Sequence, residues 1–303
     1  MTQMSDPALI AITGTSGLIG KALSKRLRSE SQPSLKLVRY PTSEEGKRFW
    51  DYSENILEGG LDDCDALVHL AGETVDGHWS NLKKQLIHES RVQSTKFLVE
   101  KILSCKSPPK VVVFASAIGF YGQKRANRVT EESPPGSGFL ADVVIKWEQA
   151  SEILEKYGIR VVRLRLGVVL AKEGGALHKM LPVFRFGLGG AIGNGEQRMS
   201  WITLSDVVEM IWQSIHSNSW QGNYNAVAPE VVSNQAFGRV LAKVLKRPAI
   251  LKVPKFMMET IFGEMADSTI LSDLAVEPKR LIEMNYQFKH PKLQPALEAI
   301  LRN

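Results

Sequence analysis

The apolar residues of this chain follow two alternating patterns. Short, mostly apolar runs predict strands at residues 8–12, 35–39, 65–72, 111–115, 160–166 and 223–228. Segments with apolar residues at helical spacing follow three of these runs, at residues 18–27, 82–102 and 139–157. Strands that alternate with helices in this way predict an α/β fold with a doubly wound parallel sheet.

The pattern changes after Gly167, where repeated glycines predict irregular structure as far as residue 195. Residues 201–206 are expected to lead into a helix, with Ser205 or Asp206 as its N-cap. Later helices are expected at residues 237–245, 255–262 and 295–301.

Three local predictions concern polar residues. Residues 123–138 are expected to form a surface loop that could act as a lid, and Trp50 is expected in a polar connection. On the strand at 160–166, Arg160, Arg163 and Arg165 are expected to share one face.

The first strand runs into a glycine turn whose spacing is typical of a phosphate-binding loop. Gly14 permits a tight turn, Gly17 lets the backbone approach a pyrophosphate, and Gly20 lets the next helix pack closely on the strand. The free N–H groups at the start of that helix would face the anion. The candidate dinucleotide-binding segment is Gly14, Thr15, Ser16, Gly17, Leu18, Ile19 and Gly20. The alternative is an ordinary glycine turn.

The second strand ends at Arg39, about 20 residues beyond the glycines, where NAD-binding folds carry an acidic residue for the ribose hydroxyls. A guanidinium at this position can instead bind a 2′-phosphate through two hydrogen bonds. The sequence therefore predicts NADP rather than NAD. The alternative is a solvated surface arginine.

Further candidate cofactor contacts lie at two strand ends and on one helix. Parallel sheets bind ligands at the carboxyl ends of their strands, which here are Leu70, Ala71, Gly72 and Val169. Arg91 lies on the helix at 82–102, from which it could reach a cofactor phosphate; the alternative is a partly exposed helix arginine.

These interpretations divide the chain into two parts. Residues 1–170 are expected to form an NADP-binding domain to which residues 201–228 return. Residues 171–200 and 229–303 are expected to form a smaller substrate-side domain.

Charge and composition narrow the function. The formal charge of +6 over 303 residues includes no long basic run, so it does not indicate nucleic-acid binding. No stretch approaches the ~20 apolar residues of a membrane span, and the first residues lack a signal-peptide pattern. Cys64 and Cys105, like the histidines, show no metal-ligand spacing, so no metal is expected. Two cysteines fit a reducing compartment, and we expect a cytoplasmic protein.

The motifs resemble those of the extended short-chain dehydrogenases/reductases, within the NAD(P)-dependent epimerase/dehydratase family. The resemblance narrows to an atypical, cell-division-inhibitor-like epimerase subgroup. The matching motifs cover nearly the whole chain, and they include Thr13–Gly20, Leu70–Glu73, Ser90–Arg91, Ser116–Gly122, Trp147–Glu148, Gly167–Leu170, Gly187–Gly190 and Ser200–Ile202. The resemblance implies a Rossmann-type domain, a smaller C-terminal substrate domain and bound NADP, but no known substrate. We expect the protein to act on an unidentified small molecule as a monomer or homodimer.

The sequence departs from this family at its proton-transfer pair. Members use Tyr-x-x-x-Lys, in which the tyrosine passes a proton and the lysine lowers its pKa. Here Leu140 and Val144 stand at those positions. One hypothesis is an oxidoreductase or epimerase with a displaced acid–base group, for which the candidates are Ser116, Tyr121 and Glu73. The competing hypothesis is an NADP(H)-binding sensor or regulator without turnover.

Overall fold

A computed structural model describes residues 9–249 and 251–302; Ala8, predicted in the first strand, lies outside the described residues. Its strands are β1 (Ile10–Thr13), β2 (Ser34–Val38), β3 (Lys47–Asp51), β4 (Ile56–Leu57), β5 (Ala66–His69), β6 (Val111–Ala117), β7 (Arg160–Leu166), β8 (Val168–Leu170), β9 (Gly190–Ile192), β10 (Arg198–Met199), β11 (Trp201–Thr203), β12 (Gly222–Ala226), β13 (Val232–Ser233) and β14 (Leu251–Val253).

The helices alternate with these strands along the chain. They are α1 (Leu18–Ser29), α2 (Asn81–Leu103), α3 (Phe139–Gln149), α4 (Ile153–Lys156), α5 (Gly175–Arg185), α6 (Leu204–His216), α7 (Asn234–Leu245), α8 (Lys255–Phe262), α9 (Lys279–Glu283) and α10 (Leu293–Arg302). A short 3₁₀ turn (Ile118–Tyr121) follows β6, and a π-helical turn (Ala266–Ile270) follows α8.

The central sheet has eight strands in the order β12–β7–β6–β5–β1–β2–β3–β4. All of its pairs are parallel except β3–β4, which is antiparallel. Helices α1 and α6 cover one face, and α2 and α4 cover the other. Because both faces are buried, strands β1, β5 and β6 are mostly apolar rather than alternating. The predicted α/β fold with a doubly wound parallel sheet is confirmed.

A separate apolar cluster joins α5, α7 and α10 to the short strands β8 and β11. Strand β9 pairs with β14 in a second small parallel sheet beside it. The glycine-rich stretch was predicted to be irregular, but it contains helix α5. Pro182 lies within that helix. Across the described residues, no helix combines the length and apolar character that a membrane crossing requires.

Several local predictions need correction. Trp50 lies not in a polar connection but in β3, which pairs with β2. The helix predicted over residues 139–157 is interrupted between α3 and α4. There the Ser151 hydroxyl donates to the Glu148 carbonyl and accepts from Arg163 Nε. Residues 201–203 form a strand, and the α6 cap is Thr203, whose hydroxyl accepts from the Asp206 N–H.

The three arginines of β7 do not share a face. Arg163 and Arg165 point toward α3 and α4, where they bind Glu155 and Glu148. Arg160 points to the opposite face and donates to backbone carbonyls of Ser214 and Trp220. Side chains alternate between the two faces of a strand, so residue 160 shares a face with residues 162 and 164 rather than with residues 163 and 165.

The loop at residues 123–138 is tied to the C-terminal part of the chain. The Arg125 N–H donates to the Asp273 carbonyl, and the Val129 N–H donates to the Ala275 carbonyl. Val129 is 5% exposed, and its carbonyl accepts from the Glu277 N–H. These backbone bonds hold the loop in place, so the structure gives no support to its prediction as a lid.

Candidate functional site

A cleft of about 670 Å³ opens at the carboxyl ends of β1, β2 and β5. Eight of the predicted cofactor contacts line it: Gly14, Thr15, Ser16, Gly17, Arg39, Leu70, Ala71 and Gly72. The other predicted contacts, Leu18, Ile19, Gly20, Arg91 and Val169, stand outside the lining of this cleft. The structure thus brings together the glycine turn and two strand ends that lie far apart in sequence.

The glycine turn is packed as tightly as its predicted roles require. Gly14 has φ +68°, and a Cβ there would lie 2.7 Å from the Leu70 carbonyl carbon. A Cβ on Gly20 would lie 2.2 Å from the Gly14 carbonyl oxygen, so only glycine lets α1 approach the turn. Gly17, the N-cap of α1, is exposed and has open space beside it apart from a 3.3 Å contact with the Gly14 oxygen. The cradle therefore leaves room for a ligand where the helix begins.

A buried hydrogen-bond chain fixes the β5 end of the cleft. The Thr13 hydroxyl accepts from the N–H groups of Leu70 and Ala71, at 3.0 and 3.1 Å. It lies 2.7 Å from His69 Nδ1, and His69 Nε2 lies 3.2 Å from the Ser94 hydroxyl. Burial, and to a lesser degree the charge of Arg91, lowers the pKa of His69 to about 3. The neutral imidazole thus accepts from Thr13 at Nδ1 and donates to Ser94 from Nε2.

Basic side chains gather at the β2 end of the cleft. Arg39 is exposed, and its guanidinium carbon lies 5.1 Å from the ring centroid of Tyr52. The other basic residues in the lining are Lys21, Arg28, Lys36 and Lys47. Lys47 binds Glu44 at 2.5 Å. This excess of positive charge suits a ligand with a phosphate group at that end.

Arg91 lies beneath the floor of the cleft. Its guanidinium carbon would be 3.3 Å from a Cβ on Gly72, and Nη1 donates to the carbonyl of Glu73 at 2.9 Å. The guanidinium also lies 5.5 Å from the Trp147 ring centroid. Burial lowers the pKa of Arg91 to about 10. Arg91 thereby supports the β5 end, while Glu73 itself binds Lys83 at 2.5 Å.

A second polar group occupies the ends of β6, β7 and β12, and we call it the edge network (Ser116, Tyr121, Glu148, Arg165 and Asn225). Ser116 donates to Glu148 Oε1 at 2.6 Å, and Arg165 binds the same carboxylate through Nε and Nη2, at 2.9 and 2.7 Å. Arg165 Nη1 donates to the Tyr121 hydroxyl, which donates to Asn225 Oδ1 at 2.7 Å. All five residues are buried.

The two predicted catalytic residues, Ser116 and Tyr121, both use their hydroxyl protons within the edge network. The Ser116 hydroxyl proton points to Glu148, and Tyr121, which is 0% exposed, directs its proton to Asn225. Burial raises the pKa of Tyr121, and the nearby Arg165 only partly offsets this effect. The catalytic roles of Ser116 and Tyr121 stay predictions, and this geometry weighs against them.

Helix α3 carries apolar residues toward the same edge. A Cβ on Gly119 would lie 3.6 Å from Leu140 Cβ and 3.9 Å from Val144 Cγ2. Leu140 and Val144 stand where the resemblance implies Tyr and Lys. They pack against the loop after β6, and neither side chain can transfer a proton.

Arg198 is bound by other groups of the protein. Nε and Nη2 bind the two carboxylate oxygens of Asp273, at 2.6 and 3.0 Å. Nη1 and Nη2 also donate to the carbonyls of Ala126 and Arg125. Asp273 raises the pKa of Arg198. Its charge is thus used to fasten the loop at 123–138.

Sequence reasoning missed two parts of the site. The basic residues of α1 and β3 gave no motif, although Lys21, Arg28 and Lys47 all line the cleft. Glu148 and Arg165 form the ion pair of the edge network, which the sequence did not predict. The available signals were the Trp147–Glu148 motif and the strand predicted at 160–166, which placed an arginine inside an apolar run.

The cleft at the carboxyl edge of a doubly wound sheet, with a glycine cradle at a helix N-terminus, defines a Rossmann-type dinucleotide-binding class. The sequence pattern of the NAD-dependent epimerase/dehydratase family matches residues 10–226. That of a domain of unknown function matches residues 253–300. The chain belongs to the NAD-dependent epimerase/dehydratase family, which confirms the family expected from its motifs.

Relatives match over nearly the full chain. An epimerase family protein of Mycobacterium leprae is 35% identical over 98% of this chain and 97% of its own length. The crystal structure of human epimerase family protein SDR39U1 with NADPH is 31% identical and has a TM-score of 0.90, with coverage of 97% and 99%. A nucleoside-diphosphate sugar epimerase from Corynebacterium glutamicum is 33% identical with a TM-score of 0.80, covering 98% of this chain and 58% of that one.

Proposed function

We propose that this protein binds NADPH in the cleft and uses it as an oxidoreductase or epimerase on a small molecule. The observation that carries the proposal is the combination of the glycine cradle with the basic β2 end of one continuous cleft. The NADPH named for the human relative supports the same cofactor.

Each end of the cleft has a part in this binding. The N–H groups at the start of α1 and the open side of Gly17 hold the pyrophosphate. Arg39 holds the 2′-phosphate while it packs on Tyr52, and Lys36 and Lys47 add positive charge nearby. Residues 70–72, which line the cleft, would orient bound NADPH, and the cofactor would supply a hydride.

Two features limit the substrate and the alternatives. Arg198 is bound to Asp273 and to backbone carbonyls, so its guanidinium is not free to bind an anionic substrate. The family to which the chain belongs is named for epimerases and dehydratases. This name favours turnover over the alternative of a sensor that binds NADP(H) without reaction.

Calorimetric titration with NADPH and NADH tests the proposal. We expect NADPH to bind about 10- to 100-fold more tightly, since charge-assisted hydrogen bonds contribute about 1.5–3 kcal/mol. Arg39→Ala should bring the two affinities within about threefold of each other by the same argument. Arg128→Ala removes an exposed arginine outside the cleft and should leave the preference unchanged. Absence of binding by both cofactors would refute the proposal.

A further inference from the structure

A second groove, of about 480 Å³, lies among helices α1, α6 and α10. It shares no lining residue with the cofactor cleft. Its volume is within the range of about 300–1,000 Å³ in which sites for small molecules are usually found, so it can hold a ligand of its own. We call it the helix groove and define it by its floor, which consists of Ala22, Leu170, Leu204, Val208 and Ile300.

The floor of the helix groove is apolar because two apolar clusters meet there. Ala22 and Leu204 pack against the cluster of the central sheet. Leu170 and Ile300 belong to the cluster that includes α5, α7 and α10. Ala22, Leu204 and Ile300 are only half-buried, so the groove leaves part of their apolar surface in water. A ligand with an aliphatic chain would gain free energy by covering that surface.

Unpaired cations stand at the rim of this floor. Lys25 lies on α1, Lys172 follows β8, and both line the groove. Neither ammonium group forms an ion pair within the part of the chain that the structure describes. The imidazole of His290 lines the groove as well and can donate a hydrogen bond. These groups offer a counter-charge to an anion that enters the groove.

Most of the other charges in the lining are satisfied by protein partners. Arg26 binds Glu30 at 2.8 Å, and Lys289 Nζ lies 3.4 Å from a carboxylate oxygen of Glu209. Glu173 is an exposed carboxylate in the same lining. Two unpaired ammonium groups therefore stand against one exposed carboxylate, which leaves an excess of positive charge at the rim.

The N-terminus of α6 does not supply this positive charge. Its first turn carries Asp206, whose N–H donates to the Thr203 hydroxyl. The Asp206 carboxylate is buried, and it accepts from the Thr203 hydroxyl and the Lys289 N–H. A carboxylate in the first turn offsets the partial positive charge of a helix N-terminus. The lysine side chains are thus the groups that attract an anion to the groove.

We propose that the helix groove binds a single-chain aliphatic carboxylate, with its chain on the apolar floor and its carboxylate directed to Lys25 and Lys172. A neutral apolar ligand would leave the two lysines without a counter-charge, and a small polar anion would leave the floor uncovered. Only a ligand with both parts matches both features of the groove. Because the groove is separate from the cofactor cleft, this inference does not rest on the proposed function.

Calorimetric titration with octanoate, decanoate and dodecanoate, each below its micelle concentration, tests the inference. We expect decanoate to bind with a dissociation constant below about 1 mM. Each two added methylene groups should tighten binding about four- to 16-fold, because they bury further apolar surface. Decyltrimethylammonium carries the same chain with a positive head group and should bind at least about tenfold more weakly. Equal affinities for the two head groups, or affinities that do not rise with chain length, would contradict the inference.

Variants of the rim and the floor locate the site. Lys25→Glu reverses one charge at the rim and should weaken decanoate binding about three- to tenfold. Lys96→Glu is the matched control, because Lys96 is exposed on α2 and lies outside the groove, and it should have no effect. Ala299 lines the groove on α10, so Ala299→Phe occupies space that the chain needs and should weaken binding at least about fivefold. Circular dichroism shows that each variant is folded.

The inference is overturned if decanoate does not bind, or if Lys25→Glu and Lys96→Glu bind it equally. It is also overturned if saturating NADPH displaces decanoate, since displacement would place the carboxylate in the cofactor cleft. Sedimentation analysis covers the remaining occupant. A dimer that Ala299→Phe separates would mean that a second copy of the chain covers the groove, which would likewise overturn the inference.

Discussion

The cofactor cleft and the edge network lie on the same edge of one sheet, yet their polar groups are arranged in opposite ways. In the cleft, Arg39 and Gly17 are exposed, and Arg39 packs on a ring rather than on a carboxylate. In the edge network, Arg165 is 2% exposed and binds both Glu148 and Tyr121. Groups intended for a ligand are left open, whereas groups that hold the fold are paired internally. This contrast supports the proposed binding role of the cleft and indicates that the edge network serves the stability of the fold.

The largest effect is expected from the ion pair of the edge network. Arg165→Met leaves the Glu148 carboxylate buried without its cation, which should lower the free energy of unfolding by about 3–5 kcal/mol. Urea denaturation measures the loss, and calorimetry should show nearly unchanged NADPH affinity for the folded fraction. Arg163→Met is the matched control on the same strand. Its partner Glu155 is 36% exposed, so a smaller loss is expected. Equal losses for the two variants would contradict the contrast.

The second prediction concerns His69, at the β5 end of the cleft, and the pH dependence of the free energy of unfolding. Folded His69 stays neutral down to about pH 3, whereas an unfolded histidine takes up a proton near pH 6.5. As the pH falls below 6.5, the unfolded state binds more protons, so the free energy of unfolding falls by about 1.4 kcal/mol per pH unit. At pH 5 the loss from this residue is about 2 kcal/mol.

His69→Gln removes this titration and provides the comparison. Urea denaturation of both proteins at pH 7 and pH 5 should show a drop for the parent protein that exceeds the drop for the variant by about 2 kcal/mol. Equal drops would mean that His69 is not held neutral by the fold.

The smallest effect is expected for Tyr121→Phe, which decides between structural and catalytic roles. Loss of the hydroxyl leaves Arg165 Nη1 and Asn225 Oδ1 without this partner, which costs about 1–2 kcal/mol. The rate of NADPH oxidation with the best substrate from a panel of carbonyl compounds should stay within about twofold of the parent rate, because the free energy lost is that of folding. A large fall in that rate with intact NADPH affinity would restore Tyr121 as the proton donor.

The parts that could be predicted from the sequence are those with local patterns. The central strands are buried on both faces and so appear as apolar runs, and the glycine turn depends on residues within one short segment. Strand β3 was missed because Lys47 and Arg48 stand in it and Arg48 binds the distant Asp63. Helix α5 was missed because it begins at a glycine and contains Pro182.

The edge network could not be predicted for a different reason. Its partners Tyr121, Glu148, Arg165 and Asn225 lie on separate elements, and only tertiary packing brings them together. Their individual residue types are ordinary for surface positions. The departure at Leu140 and Val144 was visible in the sequence, but the apolar cluster around Leu140 was not, because it combines residues of α2, α3 and α8 that lie far apart in the chain.

The backbone bonds between residues 125–129 and 273–277 have a consequence for synthesis of the chain. Val129 acquires its partners Ala275 and Glu277 only after about 150 further residues have been made. At about 5–20 residues per second, this delay is roughly 8–30 s. During that interval the N–H and carbonyl groups of Val129 have water rather than Ala275 and Glu277 as partners. Residues 125–129 therefore reach their final backbone hydrogen bonds only after the last part of the chain has emerged.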